Sequence, residues 1–533
     1  METGKPSSVF PYLRSCEEES DKAIEGQVTG TVPSWLKGNL IRVGCGKTEV
    51  GPDRYNSLSD GLALMHRFGF AEGRVTYQSK FLRSDTYKKN MKANRIVVSE
   101  FSTPGCPDPC KTIFQRFISL FSLDELTDND LVNVIMFGDE AYASSETNCI
   151  WKIDPETLES LEKVKLSTIL PVNAAIAHPH EDADGTVYNM GSTYGMNCSY
   201  KILQFLSKAA NKTSNALEGG RVICTIPSSK LMNGSYYHSF AMTENYFVFV
   251  EQPLYFSIPR IIYAHFWAGA YADAMSWDQD ASTRFHVIKR SNNQLLDTKF
   301  VAKSLFVFHH INAYEVDNHL IVDLCGYDNG DIMNSMYFKA LEDMFYNRNK
   351  GSEPILSSSR RYVLNLATGP SKTADKNLIN LPKTKATAYY QADGSIYCNA
   401  EILTGSEQWS LELPRINYEK FNGKNYRYFY ALGRQGTLDR SHLVKVDVVN
   451  KTCINWSEEG AIPSEPVYIA DPNAENPGED AGIILASLLY RSDEKKVSLL
   501  VLDARSMKEI SRTTFITKSS VPADFHGTFV PKK

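Results

Sequence analysis

The chain has 533 residues, of which 42% are hydrophobic, so it can bury a large core. Its 57 basic and 62 acidic side chains give a formal net charge of −5, which excludes a broad basic surface and with it a nucleic-acid partner. No apolar run reaches the roughly 18 residues that a membrane-spanning helix needs, so we expect no transmembrane helix.

The N-terminal stretch METGKPSSVFPYLRSCEEES has neither the basic start nor the apolar segment of a secretory signal. The 10 cysteines of the whole chain are scattered between Cys16 and Cys453 without the spacing of a disulfide framework. We therefore expect a cytoplasmic protein that is not secreted and keeps free thiols in a reducing compartment.

A strand–turn–strand unit recurs along the chain. Apolar and polar residues alternate on both sides of a polar turn, which is the pattern of a β-hairpin. The units are HRFGFAEGRVTYQSKFL from His66, WKIDPETLESLEKVKL from Trp151, FHVIKRSNNQLLDTKFV from Phe285, LVKVDVVNKTCINWSE from Leu443 and LLVLDARSMKEISRTTF from Leu499. Many hairpins with few long helices predict an all-β propeller. Seven blades of about 76 residues each would use the whole chain, so we expect a single domain over residues 1–533.

Two segments between the predicted hairpins are unusually apolar. Residues 107–123, PDPCKTIFQRFISLFSL, place large apolar side chains at helical spacing around Lys111 and Arg116. The second segment, residues 253–275, reads PLYFSIPRIIYAHFWAGAYADAM. Such a face packs into the core of most proteins, but basic residues among large aromatics are also typical of a helix that lies on a membrane. The residues alone leave both interpretations open.

Four histidines open or follow strand-like apolar runs: His178 in IAHPH, His238 in YYHSF, His309 in FHHIN and His526 in FHGTF. The first three follow one another at about one blade's length of sequence, and the fourth comes about three such lengths later. Equivalent positions on different blades would face the propeller axis, where several imidazoles can bind one ion of Fe, Zn or Cu. Four unrelated core or loop histidines are the alternative.

Three glutamates in apolar surroundings suit partners for such histidines: Glu146 in SSETN, Glu412 in LELPR and Glu465 in PSEPV. An imidazole that binds a metal usually donates its other N–H to a carboxylate, which fixes the orientation of the ring. A single glutamate is more often a solvated surface residue, so each of the three also has that alternative.

These motifs resemble those of the animal carotenoid cleavage oxygenase family. The likeness runs nearly end to end, from VTGTVPSWLKGNLIRVGCG through RSDTYKKNMKANRIVVSEF and PDPCKTIF to the C-terminal FHGTF. It implies a seven-bladed β-propeller with a dome of helices and loops over its top face, formed by insertions between strands. This fold agrees with the recurring hairpins.

The resemblance also implies a role for each site residue. In the family, four histidines bind one ferrous ion on the propeller axis, and three glutamates hold the last three histidines in order. Here these residues would be His178, His238, His309 and His526, with Glu146, Glu412 and Glu465. His180 and His310, which accompany two of the ligands, would not bind the metal.

Animal members of the family include central 15,15′ cleavers, eccentric cleavers, O₂-independent retinyl ester isomerohydrolases and an insect isomerooxygenase. Tyr327 stands where isomerohydrolases carry Trp and central cleavers carry Tyr. We therefore expect an Fe(2+) dioxygenase that uses O₂ to cleave the central 15,15′ double bond of β-carotene, zeaxanthin or a similar carotenoid. The products would be two retinal-type aldehydes, with or without trans-to-cis isomerisation of one of them. An isomerohydrolase and a non-enzymatic binding propeller are the alternatives.

By the same resemblance Phe101, Ser145 and Tyr327 would line a substrate tunnel, although a packing role is equally open for each. A carotenoid partitions into membranes, so the tunnel mouth would contact a membrane surface peripherally, as in a monotopic protein. The expected contact residues are Cys110, whose thiol is open to acylation, and Phe114, Phe117, Ile118, Phe121, Ile261, Ile262, Phe266 and Trp267.

Overall fold

The computed structural model of the protein describes residues 10–106, 127–211, 215–266, 269–346, 355–367, 376–404, 409–434, 441–475 and 477–532. Strands predominate, and the α-helices within these ranges are short. They are α1 (Asp85–Ala93), α2 (Lys208–Asn211), α3 (Ile258–Phe266), α4 (Ile332–Ser335), α5 (Phe338–Tyr346) and α6 (Tyr418–Phe421). Single 3₁₀ turns occur at Pro11–Leu13, Leu166–Thr168 and Tyr271–Ala274.

In these ranges the strands, numbered in chain order, form seven sheets of four or more strands. Sheet 1 contains β1 (Ile24–Glu25), β3 (Gly38–Lys47), β6 (Leu62–Ala71), β7 (Arg74–Phe81) and β40 (His526–Pro531). Sheet 2 contains β8 (Asn133–Phe137), β9 (Glu140–Ser144), β10 (Cys149–Ile153) and β11 (Ser160–Lys165). Sheet 3 contains β12 (Ala174–Ala175), β13 (His180–Glu181), β14 (Val187–Thr193), β15 (Ser199–Phe205) and β16 (Arg221–Pro227).

Sheet 4 contains β18 (Ala241–Met242), β19 (Tyr246–Glu251), β22 (Thr283–Lys289), β23 (Gln294–Leu295), β24 (Phe300–Ala302), β28 (Thr387–Tyr390) and β29 (Ile396–Asn399). Sheet 5 contains β25 (Phe306–Val316), β26 (His319–Tyr327), β27 (Ser358–Asn365) and β30 (Glu401–Ile402). Sheet 6 contains β31 (Ser410–Arg415), β32 (Tyr428–Arg434), β33 (Ser441–Asp447) and β34 (Thr452–Trp456).

Sheet 7 contains β2 (Gln27–Gly30), β35 (Ala461–Pro463), β36 (Val467–Ala470), β37 (Gly482–Tyr490), β38 (Lys496–Asp503) and β39 (Glu509–Ile516). Two smaller sheets consist of β17 (Asn233–Ser235) with β20 (Leu254–Ser257) and β21 (Met275–Trp277), and of β4 (Glu49–Val50) with β5 (Asp53–Arg54).

The prediction of an all-β protein is confirmed, and so are its five hairpins. Each predicted unit forms antiparallel pairs: β6 with β7, β10 with β11, β22 with β23 and β24, β33 with β34, and β38 with β39. The turn between β6 and β7 shows why the first of these hairpins forms. Glu72 and Gly73 both have positive φ, 51° and 73°, which is the turn that matches the twist of two antiparallel strands.

Hydrophobic clusters join the sheets in succession. Side chains of sheets 1 and 2 share one cluster, sheets 2 and 3 another, and sheets 3 and 4 a third. A larger cluster joins sheets 4, 5 and 6, and two more join sheet 6 to sheet 7 and sheet 7 to sheet 1. Inner strands are therefore covered on both faces. All residues of β37 after Gly482 are buried, for example, which explains its nearly continuous apolar sequence.

Residues near the two ends of the sequence pair with each other. Strand β2 pairs antiparallel with β39, so an early strand completes sheet 7. Strand β40 pairs antiparallel with β3, and this register sets His526 opposite Val43. The position of His526 is thus fixed by a strand almost 500 residues earlier in the sequence, which brings a late residue to the middle of the site.

Candidate metal centre

The predicted site residues come from seven different sheets. His178 lies between β12 and β13 of sheet 3, His238 precedes β18 of sheet 4, His309 lies in β25 of sheet 5, and His526 begins β40 of sheet 1. Each of the other three sheets contributes one carboxylate: Glu146 between β9 and β10, Glu412 in β31, and Glu465 between β35 and β36. Because each residue stands near the end of a strand or at an irregularity in it, its side chain can leave the regular sheet.

His309 shows how the local backbone directs such a side chain. The pairing of β25 with β26 shifts register between Val307 and His310 and again between His310 and Asn312. A bulge of this kind changes the direction of neighbouring side chains. His309 is consequently turned towards the other histidines, while His310 bonds elsewhere.

The four imidazoles converge on one point. One nitrogen of each histidine lies within 4.8 Å of the corresponding nitrogens of the others, a group that could hold a metal ion. The Nε2 atoms of His178 and His238 are 2.8 Å apart, and those of His309 and His526 are 3.2 Å apart. His238, His309 and His526 are buried, and His178 is half-buried.

The environment favours neutral imidazoles, which are the form that binds metals. Burial lowers the pKa of His526 to about 3, against the opposing effect of Glu465. Burial also lowers the pKa of His309, although Glu412 opposes it. Burial, together with the neighbouring histidines, holds the pKa of His178 well below its usual value. Neutral nitrogen donors aimed at a common point match the ligand set of a divalent transition metal.

Three of the four histidines bond to a carboxylate through Nδ1. The Nδ1 atoms of His238, His309 and His526 donate to Glu146 Oε1 at 2.5 Å, Glu412 Oε2 at 2.6 Å and Glu465 Oε1 at 2.8 Å, respectively. With the proton on Nδ1, each Nε2 keeps its lone pair for a metal. The three pairings are those that the family resemblance implies.

The neighbouring histidines His180 and His310 bond away from this group. His180 bonds through Nδ1 to the Tyr418 hydroxyl and through Nε2 to the Phe240 carbonyl, both at 2.9 Å. His310 bonds through Nδ1 to the Ser239 hydroxyl at 2.8 Å. Both rings therefore support the loops next to the centre and do not point into it.

A cavity of about 640 Å³ adjoins the centre, and His238 and Glu146 form part of its wall. Phe101 and Ser145, both predicted to line a tunnel, also line this cavity. The third predicted residue, Tyr327, lies one layer further back, where its ring packs on Phe306 and Phe308 with centroid distances of 6.1 and 6.3 Å. Sequence reasoning missed several other aromatic residues of the wall, namely Tyr194, Tyr236, Tyr237, Phe256, Tyr271, Trp277, Phe308 and Tyr337.

Sequence reasoning also missed two arginines next to the centre. Arg415 bonds to both oxygens of Glu465, and the fully buried Arg42 lies 3.7 Å from Glu465 Oε2. Burial would raise the pKa of Glu465, but Arg415, His526 and Arg42 outweigh it and keep that pKa far below its usual value. The carboxylate is therefore ionised at every physiological pH.

The predicted membrane residues fall partly on α3. Ile261 lines the cavity, whereas Ile262 is 43% exposed and its neighbour Tyr263 is 62% exposed. The side chain of Phe266 and the residues Trp267, Cys110, Phe114, Phe117, Ile118 and Phe121 lie outside the part of the structure that is described. Within the described ranges, no helix has the length and apolarity that crossing a bilayer requires.

Four convergent imidazoles beside an aromatic-lined cavity characterise a non-haem metalloenzyme that acts on an apolar substrate. The family model described as retinal pigment epithelial membrane protein matches residues 13–531. The chain belongs to this family, which contains the carotenoid oxygenases.

Curated relatives match nearly the whole chain. A carotenoid-cleaving dioxygenase of Mustela putorius furo, whose name includes the word mitochondrial, is 42% identical over 98% of this chain and 96% of its own length. A beta,beta-carotene 15,15′-dioxygenase of Gallus gallus is 40% identical, with 97% of each chain covered. The predicted family is thus confirmed.

Solved structures establish the fold at low sequence identity. An ACO/RPE65 chimera superposes with a TM-score of 0.77 at 19% identity and covers 99% of both chains. A cobalt-substituted Synechocystis ACO has a TM-score of 0.76 at 19% identity, covering 99% of this chain and 100% of its own.

Proposed function

We propose that this protein is an iron(II)-dependent carotenoid dioxygenase that cleaves the central 15,15′ double bond with O₂ and releases two retinal-type aldehydes. The observation that carries the proposal is the contact of a four-histidine group, through His238, with an aromatic-lined cavity of about 640 Å³. The names of the two curated relatives support a carotenoid as substrate and cleavage as the reaction. β-Carotene and zeaxanthin are the first substrates to test.

We propose Fe(2+) as the metal that His178, His238, His309 and His526 would hold. Imidazole nitrogen suits iron, zinc and copper, but zinc has no redox chemistry and cannot activate O₂. When bound, ferrous iron would supply the electrons for that activation. Glu146, Glu412 and Glu465 would keep three of the ligand rings in the required tautomer and orientation.

The cavity's own side chains would position the substrate. An apolar polyene gains stability by leaving water for a wall that contains Phe101, Phe256 and Phe308. The Phe308 ring lies 5.3 Å from the His238 ring, centroid to centroid, so a chain packed on Phe308 is held close to the metal ligands. Correct placement of one double bond is the main contribution that the protein can make to such a reaction.

We further propose that the wall assists trans-to-cis isomerisation of one product. Rotation about a polyene bond becomes easier when the bond acquires cationic character, and aromatic faces stabilise a nearby positive charge. Tyr236 and Phe308 both line the cavity, and their ring centroids are 6.5 Å apart. Tyr327 would act indirectly, by packing behind Phe308.

We infer that the seven sheets form a seven-bladed propeller and that residues 1–533 make one domain. The succession of clusters from sheet 1 to sheet 7 and back to sheet 1 supports a closed ring. The seven site residues, one from each sheet, support a common axis at the metal centre. Insertions such as α3, α4 and α5 would form the dome.

We propose that the protein binds a membrane surface peripherally at the side of the cavity where α3 lies. Backbone hydrogen bonds join Met232 to Met196 and to Ile258, the first residue of α3. These bonds bring two exposed apolar residues, Met196 and Leu231, close to the start of α3. Met196 is 74% exposed and Leu231 is 71% exposed. Together with Ile262 and Tyr263 they form an apolar surface, which we call the α3 surface. The name of the Mustela relative places that protein in mitochondria, so the compartment of such a membrane is a separate question.

The decisive experiment supplies iron-loaded protein in mild detergent with all-trans β-carotene or zeaxanthin, in air and under argon. C20 aldehydes that form only in air would support central oxidative cleavage, and an 11-cis component would support isomerisation. The His309→Ala variant should give no product, because it lacks one ligand.

Three other outcomes would contradict the proposal. Longer apocarotenals would indicate eccentric cleavage. Conversion of retinyl ester to cis-retinol under argon, without carotenoid products, would indicate an isomerohydrolase. Carotenoid binding without any turnover, unchanged in His309→Ala, would indicate a binding protein whose metal is structural.

A further inference from the structure

The three carboxylates that bond to the histidines of the metal centre differ in the charged groups beside them. Glu146 also accepts a hydrogen bond from the neutral Tyr236 hydroxyl at 3.2 Å. Glu412 Oε2 accepts from His309 Nδ1 at 2.6 Å and from the Leu413 backbone N–H at 3.1 Å, both of which are uncharged donors. Among the described residues, Glu146 and Glu412 each form an ion pair with one histidine and with no arginine or lysine. Glu465 pairs with His526 and also with Arg415 and Arg42.

Arg415 makes the closest of these contacts with Glu465. Its Nε donates to Oε1 at 2.8 Å, and its Nη2 donates to Oε2 at 3.1 Å. The same Oε1 accepts from His526 Nδ1 at 2.8 Å, and Oε2 also accepts from the Gly527 backbone N–H at 3.2 Å. A third Arg415 bond, from Nη2 to the Gly527 carbonyl at 2.8 Å, ties the guanidinium to the residue after the ligand.

Arg42 has a different role although it is also close. Its side chain is fully buried, and its shortest contacts are with Asp524 at 2.6 Å and with the backbone carbonyls of Glu465 and Phe525. These bonds hold β40 against β3, so Arg42 is part of the fold. Arg415 is 34% exposed and can be replaced with far less risk to the core.

The contacts have a chemical consequence for the ligand. A carboxylate that accepts a proton partly from imidazole makes the other ring nitrogen a stronger electron donor. When the same carboxylate also accepts two hydrogen bonds from a guanidinium, its negative charge is shared with a cation and this effect weakens. His526 is thus bonded to Glu465, an ionised carboxylate whose charge is balanced by Arg415. His309 is bonded to Glu412, which has no arginine or lysine beside it among the described residues.

We propose that Arg415 is a positioning residue of the metal centre, which neutralises Glu465, makes His526 a weaker donor than His309 and thereby favours the ferrous over the ferric state. The inference rests on the proposed iron centre. It assigns to Arg415 the protection of the resting Fe(2+) enzyme against loss of one electron to O₂ when no substrate is bound.

The test compares Arg415→Gln, which removes the charge, with Arg415→Lys, which retains it. The readout is the midpoint potential of the one-electron Fe(III)/Fe(II) couple, measured by redox titration of the ferric EPR signal, together with the rate of autoxidation without substrate. We expect a lower midpoint potential and faster autoxidation in Arg415→Gln, because Glu465 then makes His526 a stronger donor, and values close to those of the unaltered protein in Arg415→Lys.

Arg427→Gln is the matched control, because it removes an equal charge from a surface pair with Asp447. It should leave the potential unchanged. An unchanged potential in Arg415→Gln, with normal iron content and thermal stability, would overturn the inference. Equal loss of iron from Arg415→Gln and Arg415→Lys would overturn it too, since the role would then be geometric. Failure of the unaltered protein to bind iron would instead refute the proposed function.

Discussion

The carboxylate beside each ligand determines how well the ring can bind a metal, and Glu412 is the clearest case. Its Oε2 accepts from His309 Nδ1 at 2.6 Å and from the Leu413 backbone N–H at 3.1 Å. We expect Glu412→Gln to weaken Fe(2+) binding about tenfold, because the amide keeps the shape but loses the charge. Isothermal titration with Fe(2+) under argon measures this, with the exposed Glu419→Gln as control. Equal affinities for the two variants would contradict the role of Glu412.

His66 should give the protein a distinct pH dependence of stability. Burial lowers the pKa of His66 to about 4 from its ordinary 6.5. Between these values the unfolded chain binds a proton that the folded chain does not, so stability is complete above pH 6.5 and is lost as the pH falls towards 4. The contribution is about 1.4 kcal/mol per pH unit.

The His66→Gln variant keeps a partner for the Tyr77 hydroxyl, which lies 2.8 Å from His66 Nδ1. Its free energy of unfolding in urea should therefore vary less between pH 6.5 and 5 than that of the unaltered protein. Parallel pH profiles for the two proteins would show that His66 makes no such contribution.

Some residues of the metal centre could be predicted from the sequence, and others could not. The four histidines and three glutamates stand in short motifs that can be read directly. Arg415 stands in one of those motifs too, yet its bond to Glu465 joins residues 50 positions apart. Such a bond depends on how sheets 6 and 7 are placed, and local patterns carry no information about that placement.

Among the elements, α3 links the cavity to the exterior. Ile261 lines the cavity, while Ile262 and Tyr263 are exposed, so consecutive residues of one helix face two environments. We expect the double variant Ile262→Asp and Tyr263→Asp to lose membrane binding, because charged side chains on the α3 surface oppose insertion between lipids. Flotation with liposomes measures it.

Leu161→Asp provides the control for that experiment. Leu161 is 55% exposed on β11, in sheet 2, and it is not part of the α3 surface. This variant should float with liposomes as the unaltered protein does. If the α3 double variant also floats normally, the α3 surface is not the membrane contact.

The hairpins could be predicted because alternation and turn residues are local properties. The composition of sheet 4 could not. Strand β29, residues 396–399, pairs in parallel with β24, residues 300–302, and brings β28 into the same sheet. Nothing in either segment specifies a partner about a hundred residues away, because parallel pairing follows from the packing of the rest of sheets 4 and 5.

For the whole molecule, the pairing of β2 with β39 connects the first part of the chain to sheet 7. Gly30 is critical there: its φ is +75°, and a Cβ would lie 2.2 Å from the Ile510 carbonyl oxygen. Gly394 has a similar φ of +81° but no atom within 4 Å of the added Cβ. We expect Gly394→Ala to lose about 1 kcal/mol of stability from backbone strain, and Gly30→Ala to lose more because β2 must move away from β39.

Chemical denaturation and limited proteolysis of the N-terminal segment measure this difference. The Gly30→Ala protein should be cleaved near β2 faster than the Gly394→Ala protein. Similar stability and similar cleavage of both variants would mean that the β2–β39 pairing contributes little to the closed arrangement.

The register of β40 against β3 has a consequence for how the protein is made. His526 comes 217 residues after His309 in the sequence, and it is aligned only when β40 pairs with β3. During translation, six sheets can receive most of their strands while the fourth imidazole is still inside the ribosome. A complete ligand set therefore exists only after synthesis has passed residue 526, and metal loading becomes a late event in the maturation of each molecule.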